Sequence, residues 1–298
     1  ELVGRGASHL LDLGGKRLRP LCLSLAARVG MPAIDQRVLD LAVAVELVHS
    51  ATLLHDDVVD GGDARRGSAT SRAIYGNAAS IFAGDWLLIE ALRRVENSAV
   101  SGLLNELFSV IEQMIFAESL QLENRGRLSL DRAAYFQVAE GKTATVFRWA
   151  MLAGARAAGV EPATERALAT FGEHLGVSFQ AVDDLLDLTG DAEVTGKALF
   201  TDLVEGKMTL PLILALERAP ELRPTLEAIV ALPDGADVPP GLVDHVSTTV
   251  RASGAAAECL AIARGRSERA VAALADVPDG RARRALVTMA EAIVDRDV

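Results

Sequence analysis

Two aspartate clusters of identical spacing end long stretches in which apolar residues recur every three or four positions. They are Asp56, Asp57 and Asp60 and, further along the chain, Asp183, Asp184 and Asp187. Residues three and four apart lie on the same side of an α-helix, so the carboxylates of each cluster converge. The chain must therefore fold so that two largely apolar helices each carry a focused group of negative charge. The repeat also predicts that these two helices face each other across a cavity.

The clusters need a positive counter-charge. Like charges at helical spacing destabilise a helix by roughly 0.2–0.5 kcal/mol per pair, and two charges about 4 Å apart repel by about 4 kcal/mol at an effective dielectric near 20. Magnesium prefers carboxylate oxygens, keeps several waters and often bridges to substrate phosphates. A solvated helix end is the alternative, and it explains one cluster better than two. The pattern thus indicates a magnesium site built for a diphosphate.

Helical periodicity extends through most of the chain. Apolar residues recur at three- and four-residue spacing over residues 38–59, 78–95, 103–122, 133–158, 163–188 and 255–274. Strict alternation over the length of a strand is hard to find, and no glycine- or proline-rich break is long enough for an interdomain linker. We therefore predict an all-α fold with one domain over residues 1–298, a single large helical bundle that encloses either a core or an apolar cavity.

Composition excludes several classes of protein. A formal charge of −11 and an aromatic content of 4% argue against a nucleic-acid binder, which needs a basic face and stacking rings. No uninterrupted apolar run approaches the roughly 20 residues of a membrane span, so we expect a protein that is not membrane-embedded. Cys22 and Cys259 lie in apolar sequence and are better explained as small buried side chains than as a disulfide or metal site. The low cysteine content suits a cytoplasmic location.

Basic residues flank both aspartate clusters. They are Lys16, Arg17, Arg19, Arg65, Arg66, Lys197 and Lys207. Each of them alone is best explained as a solvated surface charge, because most lysines and arginines are. Together they frame both clusters and supply guanidinium and ammonium groups for phosphate oxygens that a metal does not cover.

Ordered motifs along nearly the whole chain resemble the trans-isoprenyl diphosphate synthase family. They read GGKRLRP at 14–20, ELVHSATLLHDDVVD at 46–60, RRG at 65–67, GKTA at 141–144, FQAVDDLLD at 179–187 and EGKMTLP at 205–211. Their order and approximate spacing are those of the family. The sequence at 49–60 and 76–85 most resembles that of the medium- and long-chain polyprenyl synthases.

The resemblance implies a fold and a reaction. It implies an all-α bundle around a deep apolar cavity, acting as a homodimer, with about two to three magnesium ions held together with the substrate diphosphate. It further implies condensation of isopentenyl diphosphate with an allylic diphosphate, whether dimethylallyl, geranyl, farnesyl or geranylgeranyl, into an all-trans polyprenyl diphosphate. Long apolar products would allow peripheral membrane contact during release.

The resemblance also implies roles for individual residues. The diphosphate of isopentenyl diphosphate would be held by Lys16, Arg19, His49 and Arg66, and that of the allylic substrate by Arg65, Lys142, Lys197 and Lys207. The nearest magnesium ligands would be Asp56, Asp60 and Asp183, with Asp57, Asp184 and Asp187 ordering waters or completing the shell. Lys142, Thr143 and Gln180 would form the catalytic group, with dipoles near the allylic cation. An ordinary helix hydrogen bond accounts equally well for Thr143 and Gln180, as core packing does for His49.

Product length is predicted from the residues that precede the first cluster. In this family a bulky aromatic residue there stops elongation early, whereas this chain has Ala51 and Thr52. Small side chains leave the tube open, so we expect a product longer than fifteen carbons. A deeper floor, or plain core packing, are the alternatives for Leu47, Val48, Ile81, Phe82 and Trp86.

One loop departs from the pattern of the family. Residues 196–202 read GKALFTD where the family commonly has GKPxGxD. Since Lys197 and Asp202 are retained, we expect altered loop dynamics rather than lost chemistry.

Two other functions are alternatives to the synthesis of a polyprenyl chain. A terpene cyclase usually carries Asn/Asp-x-x-Ser/Thr-x-x-x-Glu as its second metal motif, and this chain repeats the aspartate cluster instead. A non-catalytic regulatory subunit typically lacks one or both clusters, and this chain has both.

Overall fold

The computed structural model describes residues 1–65, 67–190, 200–233, 236 and 238–295. The chain is 78% helical and 1% strand, which confirms the predicted all-α fold. The first α-helices are α1 (Leu2–Asp12), α2 (Leu18–Gly30), α3 (Gln36–Val59), α4 (Ser71–Tyr75), α5 (Asn77–Asn97) and α6 (Leu103–Asn124). Then follow α7 (Arg132–Ala139), a π-helical turn (Glu140–Ala144), α8 (Thr145–Ala157) and α9 (Pro162–Thr189).

The C-terminal part continues as helices. These are α10 (Thr201–Val204), α11 (Leu210–Arg218), a 3₁₀ turn (Pro220–Leu222), α12 (Arg223–Val230), α13 (Pro240–Ala252), α14 (Ala255–Ala273) and α15 (Arg281–Val294). Each helical stretch predicted from periodicity coincides with helix, with two differences. The stretch predicted over 133–158 is divided by the π-helical turn and ends at Ala157, and the one predicted over 255–274 ends at Ala273. Periodicity does not detect this turn, because a single π-helical turn is too short to establish a repeat of its own.

A small hairpin follows α3, and the sequence did not predict it. β1 (Ala64–Arg65) pairs antiparallel with β2 (Ser68–Ala69), with Ala64 opposite Ala69. Gly67 lies in the turn with φ of 74°, a left-handed conformation that glycine adopts at little cost. Strands this short carry too few residues for an alternating pattern.

The chain divides into two compact units. Unit 1 comprises Glu1–Val110, Val146–Gly172 and Ala273–Leu286, and unit 2 comprises Ile111–Thr145, Glu173–Ala272 and Val287–Val298. The first aspartate cluster belongs to unit 1 and the second to unit 2. One undivided domain over residues 1–298 stays a prediction.

Unit 1 is organised around α3, which packs against α5 and α2. Asp35 caps α3 by accepting a hydrogen bond from Val38 N at 3.1 Å. Small residues allow close helix packing in this unit: a Cβ on Gly154 of α8 would lie 2.1 Å from the carbonyl oxygen of Leu23 in α2. The backbones of α8 and α2 are therefore in close contact at Gly154.

Unit 2 contains the π-helical turn and the C-terminal part of α9. A Cβ on Gly176 of α9 would lie 2.4 Å from Ala144 Cα, and one on Gly141 would lie 2.8 Å from Ala117 Cβ of α6. Two glycines thus allow the π-helical turn to pack tightly against its neighbouring helices. This packing determines where Lys142 and Thr143 lie.

In the described part of the chain, α3 is the one helix long and apolar enough to cross a membrane, judged by length and composition alone. Its most apolar window has a mean hydropathy of 1.5, and 56% of that window is buried inside the protein. The core helix of a water-soluble protein passes the same test. Length and composition therefore do not assign α3 to a membrane.

Candidate functional site

The first aspartate group lies at the C-terminal end of α3. Asp56 and Asp57 occupy the last turn, and Asp60 follows as the capping residue, with its N–H donating to Asp56 O at 2.8 Å. Asp57 is the buried member at 3% exposure, whereas Asp56 and Asp60 are half-buried. One helix end therefore presents three carboxylates with different access to solvent.

Arg65 of β1 holds Asp57. Its Nε and Nη2 donate to Asp57 Oδ1 at 3.0 and 2.7 Å. Burial raises the pKa of Asp57 above its ordinary value, and the charge of Arg65 opposes that rise. Within the described residues, Asp57 Oδ2 is buried without a hydrogen-bond partner. The predicted phosphate ligand Arg65 is thus also the partner of a predicted metal-site carboxylate.

Other predicted phosphate ligands lie in the same unit. Lys16 is exposed in the loop before α2, and His49 is half-buried on α3. Arg19 lies in the first turn of α2 with its guanidinium carbon 4.7 Å from the ring centroid of Phe147. Arg66 lies outside the described residues.

The predicted chain-length residues lie one turn before the first aspartate group. Ala51 is packed in the core at 1% exposure, whereas Thr52 is half-buried and its hydroxyl donates to His49 O at 2.8 Å. The alternative floor residues divide into two sets. Leu47 and Val48 are buried, and Ile81, Phe82 and Trp86 of α5 are exposed.

His55 joins the end of α3 to α5. Its Nε2 lies 3.3 Å from Ile81 O and 3.2 Å from Asp85 Oδ1. A Cβ on Gly84 would lie 2.3 Å from that same Nε2. Glycine at 84 therefore makes room for a histidine that is the immediate neighbour of Asp56.

The second aspartate group lies near the C-terminal end of α9. Asp184 is buried at 3% exposure, and both of its oxygens are occupied: Tyr135 Oη donates to Oδ2 at 2.6 Å and Gln180 Nε2 donates to Oδ1 at 2.7 Å. Asp187 is half-buried and accepts backbone N–H groups from Thr201 at 3.2 Å and Asp202 at 3.4 Å. Asp183 is half-buried on the same helix.

Negative charge is concentrated around this group. Burial, and next the charge of Asp202, raise the pKa of both Asp184 and Asp187 well above the ordinary value. Burial and the Asp184 carboxylate raise the pKa of Tyr135 in turn, so its hydroxyl stays protonated and remains a donor. The group therefore favours a positive counter-ion.

The π-helical turn carries Lys142 and Thr143, the two members of the predicted catalytic group that do not lie on α9. Thr143 Oγ1 donates to Gln180 Oε1 at 2.7 Å. Lys142 Nζ lies 2.5 Å from Glu118 Oε2 and 3.3 Å from Gln121 Oε1. Because π-turns are frequent at functional sites, this irregular turn agrees with a site residue at each of the two positions.

Lys207 lies next to α10. Its Nζ pairs with Glu205 Oε2 at 2.6 Å, and its backbone N–H donates to Asp202 O at 2.8 Å. Lys197 and the rest of the divergent segment 196–199 lie outside the described residues.

The donor set fits a hard divalent cation. In the portions of the chain that the structure describes, no three His, Cys, Asp or Glu side chains are arranged to hold an ion by themselves. Magnesium commonly binds through one or two carboxylates together with substrate phosphates, rather than in an all-protein cage. Among the described residues, Asp57 Oδ2 has no hydrogen-bond partner, and the carboxylates of α9 lie close to one another. Both features suit that mode of binding.

Sequence reasoning missed several residues of these groups. Tyr135 precedes Asp184 by 49 positions, and no local motif joins them. Glu118, the partner of Lys142, sits on a different helix and carries no spacing signal. Asp202 was noted only as a retained motif residue. Pairings across distant segments arise from packing and cannot be found from the spacing within one helix.

Three comparisons relate the chain to known proteins. The profile of the polyprenyl synthetase family matches residues 1–238. Octaprenyl diphosphate synthase from Escherichia coli (strain K12) is 35% identical over 299 residues, covering 100% of this chain and 91% of that protein. All-trans-nonaprenyl-diphosphate synthase (geranyl-diphosphate specific) from Rhodobacter capsulatus is 34% identical over 296 residues, covering 99% and 89%.

Similarity extends to solved structures. The crystal structure of a polyprenyl synthase from Caulobacter crescentus CB15, complexed with calcium and isoprenyl diphosphate, superposes with a TM-score of 0.91. The two sequences are 38% identical, and the match covers 98% of this chain and 88% of that one.

Proposed function

Since the chain belongs to the polyprenyl synthetase family and is a trans-polyprenyl diphosphate synthase, we propose that its aspartate groups bind magnesium and, through it, the diphosphate of the allylic substrate. The enzyme joins isopentenyl diphosphate to an allylic diphosphate and makes an all-trans chain longer than fifteen carbons. The sequence prediction of this reaction is confirmed. One observation carries the proposal for the site: Asp184 is buried and Asp187 half-buried on α9, and both mutually repelling carboxylates are held by protein donors.

The aspartates divide into two roles. Asp57, Asp184 and Asp187, which accept hydrogen bonds from other parts of the chain, complete the shell or order its waters. The nearest ligands are Asp56, Asp60 and Asp183. Magnesium, when bound, neutralises the diphosphate and makes it a better leaving group. The Caulobacter polyprenyl synthase, whose structure contains calcium and isoprenyl diphosphate, supports the binding of a divalent cation and a diphosphate by this chain.

Basic residues hold the rest of each diphosphate. Arg65, Lys142, Lys197 and Lys207 bind the allylic diphosphate, and Lys16, Arg19, His49 and Arg66 bind that of isopentenyl diphosphate. Three of these basic side chains each pair with a carboxylate in the structure: Arg65, Lys142 and Lys207. Such pairs hold the basic side chains in place, and the guanidinium of Arg65 carries further N–H donors for a phosphate.

Lys142, Thr143 and Gln180 act at the reacting carbon atoms. Loss of the diphosphate leaves positive charge on the allyl group, and pre-oriented dipoles stabilise that charge without reorganisation. The hydrogen bond between Thr143 and Gln180 supplies the orientation. The apolar cavity that we propose excludes water, which would quench the cation. The released pyrophosphate then accepts the proton that leaves the condensed product.

Product length follows from the residues before the first aspartate group. Ala51 and Thr52 are small, so the growing chain passes them. Because Ala51 is packed and Thr52 is half-buried, Thr52 is the better placed of the two to face the chain.

A homodimer accounts for the exposed apolar residues of α5 and α6. Phe82, Trp86 and Ile89 form one stripe along α5, with Phe82 exposed by 59%. Phe108, Ile115, Phe116 and Leu122 are exposed on α6. Large exposed apolar patches mark interaction surfaces. We place the enzyme in the cytoplasm, with peripheral membrane contact when its long product is released.

The test is a mass-spectrometric product profile. The purified protein is incubated with magnesium, isopentenyl diphosphate and, in parallel, dimethylallyl, geranyl, farnesyl and geranylgeranyl diphosphate. Elongated all-trans diphosphates that require magnesium are expected, and their masses define the chain length and preferred primer. A cyclised hydrocarbon would favour a cyclase, and absence of turnover with every primer would favour a regulatory subunit.

A further inference from the structure

We propose that Tyr135 is a positioning residue for the condensation, because its hydroxyl holds Asp184 and Asp184 in turn holds the amide of Gln180. The inference rests on the proposed function, in which Gln180 faces the allylic cation. Tyr135 lies in none of the motifs that resemble the family, and Asp184 links its hydroxyl to Gln180.

A chain of three hydrogen bonds carries the inference. Tyr135 donates to Asp184 Oδ2 at 2.6 Å, Gln180 Nε2 donates to Asp184 Oδ1 at 2.7 Å, and Thr143 Oγ1 donates to Gln180 Oε1 at 2.7 Å. The first two bonds are shorter than the most common length for their types, and the third has the common length. The chain joins α7, α9 and the π-helical turn, all within unit 2.

The order of donors and acceptors decides which way the Gln180 amide points. An amide has an oxygen and a nitrogen of similar size, so its orientation depends on its partners. In the structure both oxygens of Asp184 accept a hydrogen bond, which draws the Gln180 nitrogen towards Oδ1 and leaves the amide oxygen for Thr143. Tyr135 occupies the second oxygen of Asp184 and prevents the carboxylate from turning to seek another donor. Without that hydroxyl, both the carboxylate and the amide gain alternative orientations.

Tyr135 is itself firmly held. Arg132, one helical turn earlier on α7, donates to Glu217 Oε1 at 2.9 Å and to Glu258 Oε1 at 3.0 Å. The ring of Phe136 packs edge-on against the ring of Tyr135, with centroids 5.3 Å apart. A residue fixed by its own neighbours can hold another side chain in place.

The kinetic test is Tyr135→Phe, which removes the hydroxyl and keeps the ring. Because the hydrogen bond that holds Asp184 is lost, we expect kcat to fall about tenfold. The KM for isopentenyl diphosphate should stay unchanged, because the affected dipole acts on the transition state. Tyr75→Phe is the matched control: the chain has 2 tyrosines, and Tyr75 contacts His9 and Arg5 on α1.

A double-mutant cycle shows whether Tyr135 acts through Gln180. In the Gln180→Ala background, Tyr135→Phe should lower kcat by less than twofold, since the dipole that Tyr135 orients is gone. A full tenfold loss in that background would overturn the proposal.

A spectroscopic measurement is independent of turnover. In the Tyr75→Phe variant, biosynthetic 3-fluorotyrosine labels Tyr135 alone. Its ¹⁹F resonance should shift on Asp184→Asn and remain in place on Asp12→Asn, which alters an exposed residue of α1. The labelled enzyme also serves if Tyr135→Phe fails to fold, because fluorine changes the donor strength of the hydroxyl with little change of shape. A changed kcat for the labelled protein that disappears with Gln180→Ala is then expected.

Failure of the inference and failure of the proposed function give different results. If the wild-type enzyme makes no polyprenyl diphosphate, the proposed function is wrong. If the wild-type enzyme is active and kcat is unaffected by both Tyr135→Phe and the fluorine label, only the role of Tyr135 is wrong.

Discussion

Arg65 donates two hydrogen bonds to a single oxygen of Asp57, at 3.0 and 2.7 Å, and so ties the hairpin after α3 to the buried member of the first aspartate group. The side chain of Asp57 is 3% exposed and that of Arg65 is 29% exposed. The pair makes the hairpin part of the site. It also fixes the position of the Arg65 guanidinium, which we propose as a ligand of the allylic diphosphate.

We expect Arg65→Ala to lower the free energy of unfolding by about 1–3 kcal/mol, because it leaves a buried carboxylate without its partner. Arg65→Lys should recover only part of this loss, since an ammonium does not reproduce the two N–H groups of a planar guanidinium that converge on Asp57 Oδ1. Urea denaturation measures both. Arg37→Ala, which removes an exposed pair with Asp35, should change stability by less than about 0.5 kcal/mol. Equal effects of Arg65→Ala and Arg37→Ala would contradict the role of the Asp57 pair.

Asp56→Ala and Asp183→Ala should each lower kcat by more than about a hundredfold at saturating magnesium, because each removes a proposed ligand. The steady-state rate is measured across a magnesium titration, with Asp12→Ala as the exposed control. Turnover like that of the wild type in either variant would remove the assignment of these aspartates.

Bulk before the first aspartate group should shorten the product. Thr52→Phe places an aromatic ring at a half-buried position, and we expect a shorter distribution of products with folding preserved. Ala51→Phe should shorten the product as well, but it should also cost about 1–3 kcal/mol of stability, because Ala51 is fully packed. Mass spectrometry of the products gives the chain length and thermal denaturation gives the stability. An unchanged product spectrum from both variants would exclude these positions as the floor.

Close packing of α9 against the π-helical turn predicts a strong effect of one methyl group. A Cβ on Gly176 would lie 2.4 Å from Ala144 Cα, so Gly176→Ala should destabilise by about 1–3 kcal/mol and disturb Thr143. Gly265 of α14 has nothing within 4 Å of the same position, and Gly265→Ala should stabilise by up to about 1 kcal/mol. Thermal denaturation of both variants is the measurement, and a neutral Gly176→Ala would count against the tight packing.

The carboxylates of α9 predict how stability depends on pH in the metal-free protein. Their pKa is raised in the folded state, from 3.8 to about 8 for Asp184 and Asp187, so the folded protein binds more protons than the unfolded chain between these values. Their contribution to stability is therefore lost as pH rises through this window. The melting temperature should fall less steeply over the window in Asp202→Asn, because the charge of Asp202 contributes to the raised pKa values. Parallel curves for the two proteins would contradict this account.

Local sequence predicted the helices and the position of each aspartate cluster at a helix end. Both depend on neighbours three and four residues apart, and such spacing is visible in one helix. The family and its reaction were also predicted, from motifs that keep their order along the chain. The π-helical turn and the hairpin at 64–69 were not, since neither leaves a periodic signal.

The sequence by itself determined which residue types gather at each helix end, and thus that the chemistry involves carboxylates, a divalent cation and diphosphates. Only the tertiary structure decided which partners those residues take: Arg65 for Asp57, Glu118 for Lys142, and Tyr135 with Gln180 for Asp184. The physical reason is that helical spacing is a local property, whereas these hydrogen bonds join segments that packing brings together. Tight contacts through glycines such as Gly141 and Gly176 create the proximity, and no local pattern records it.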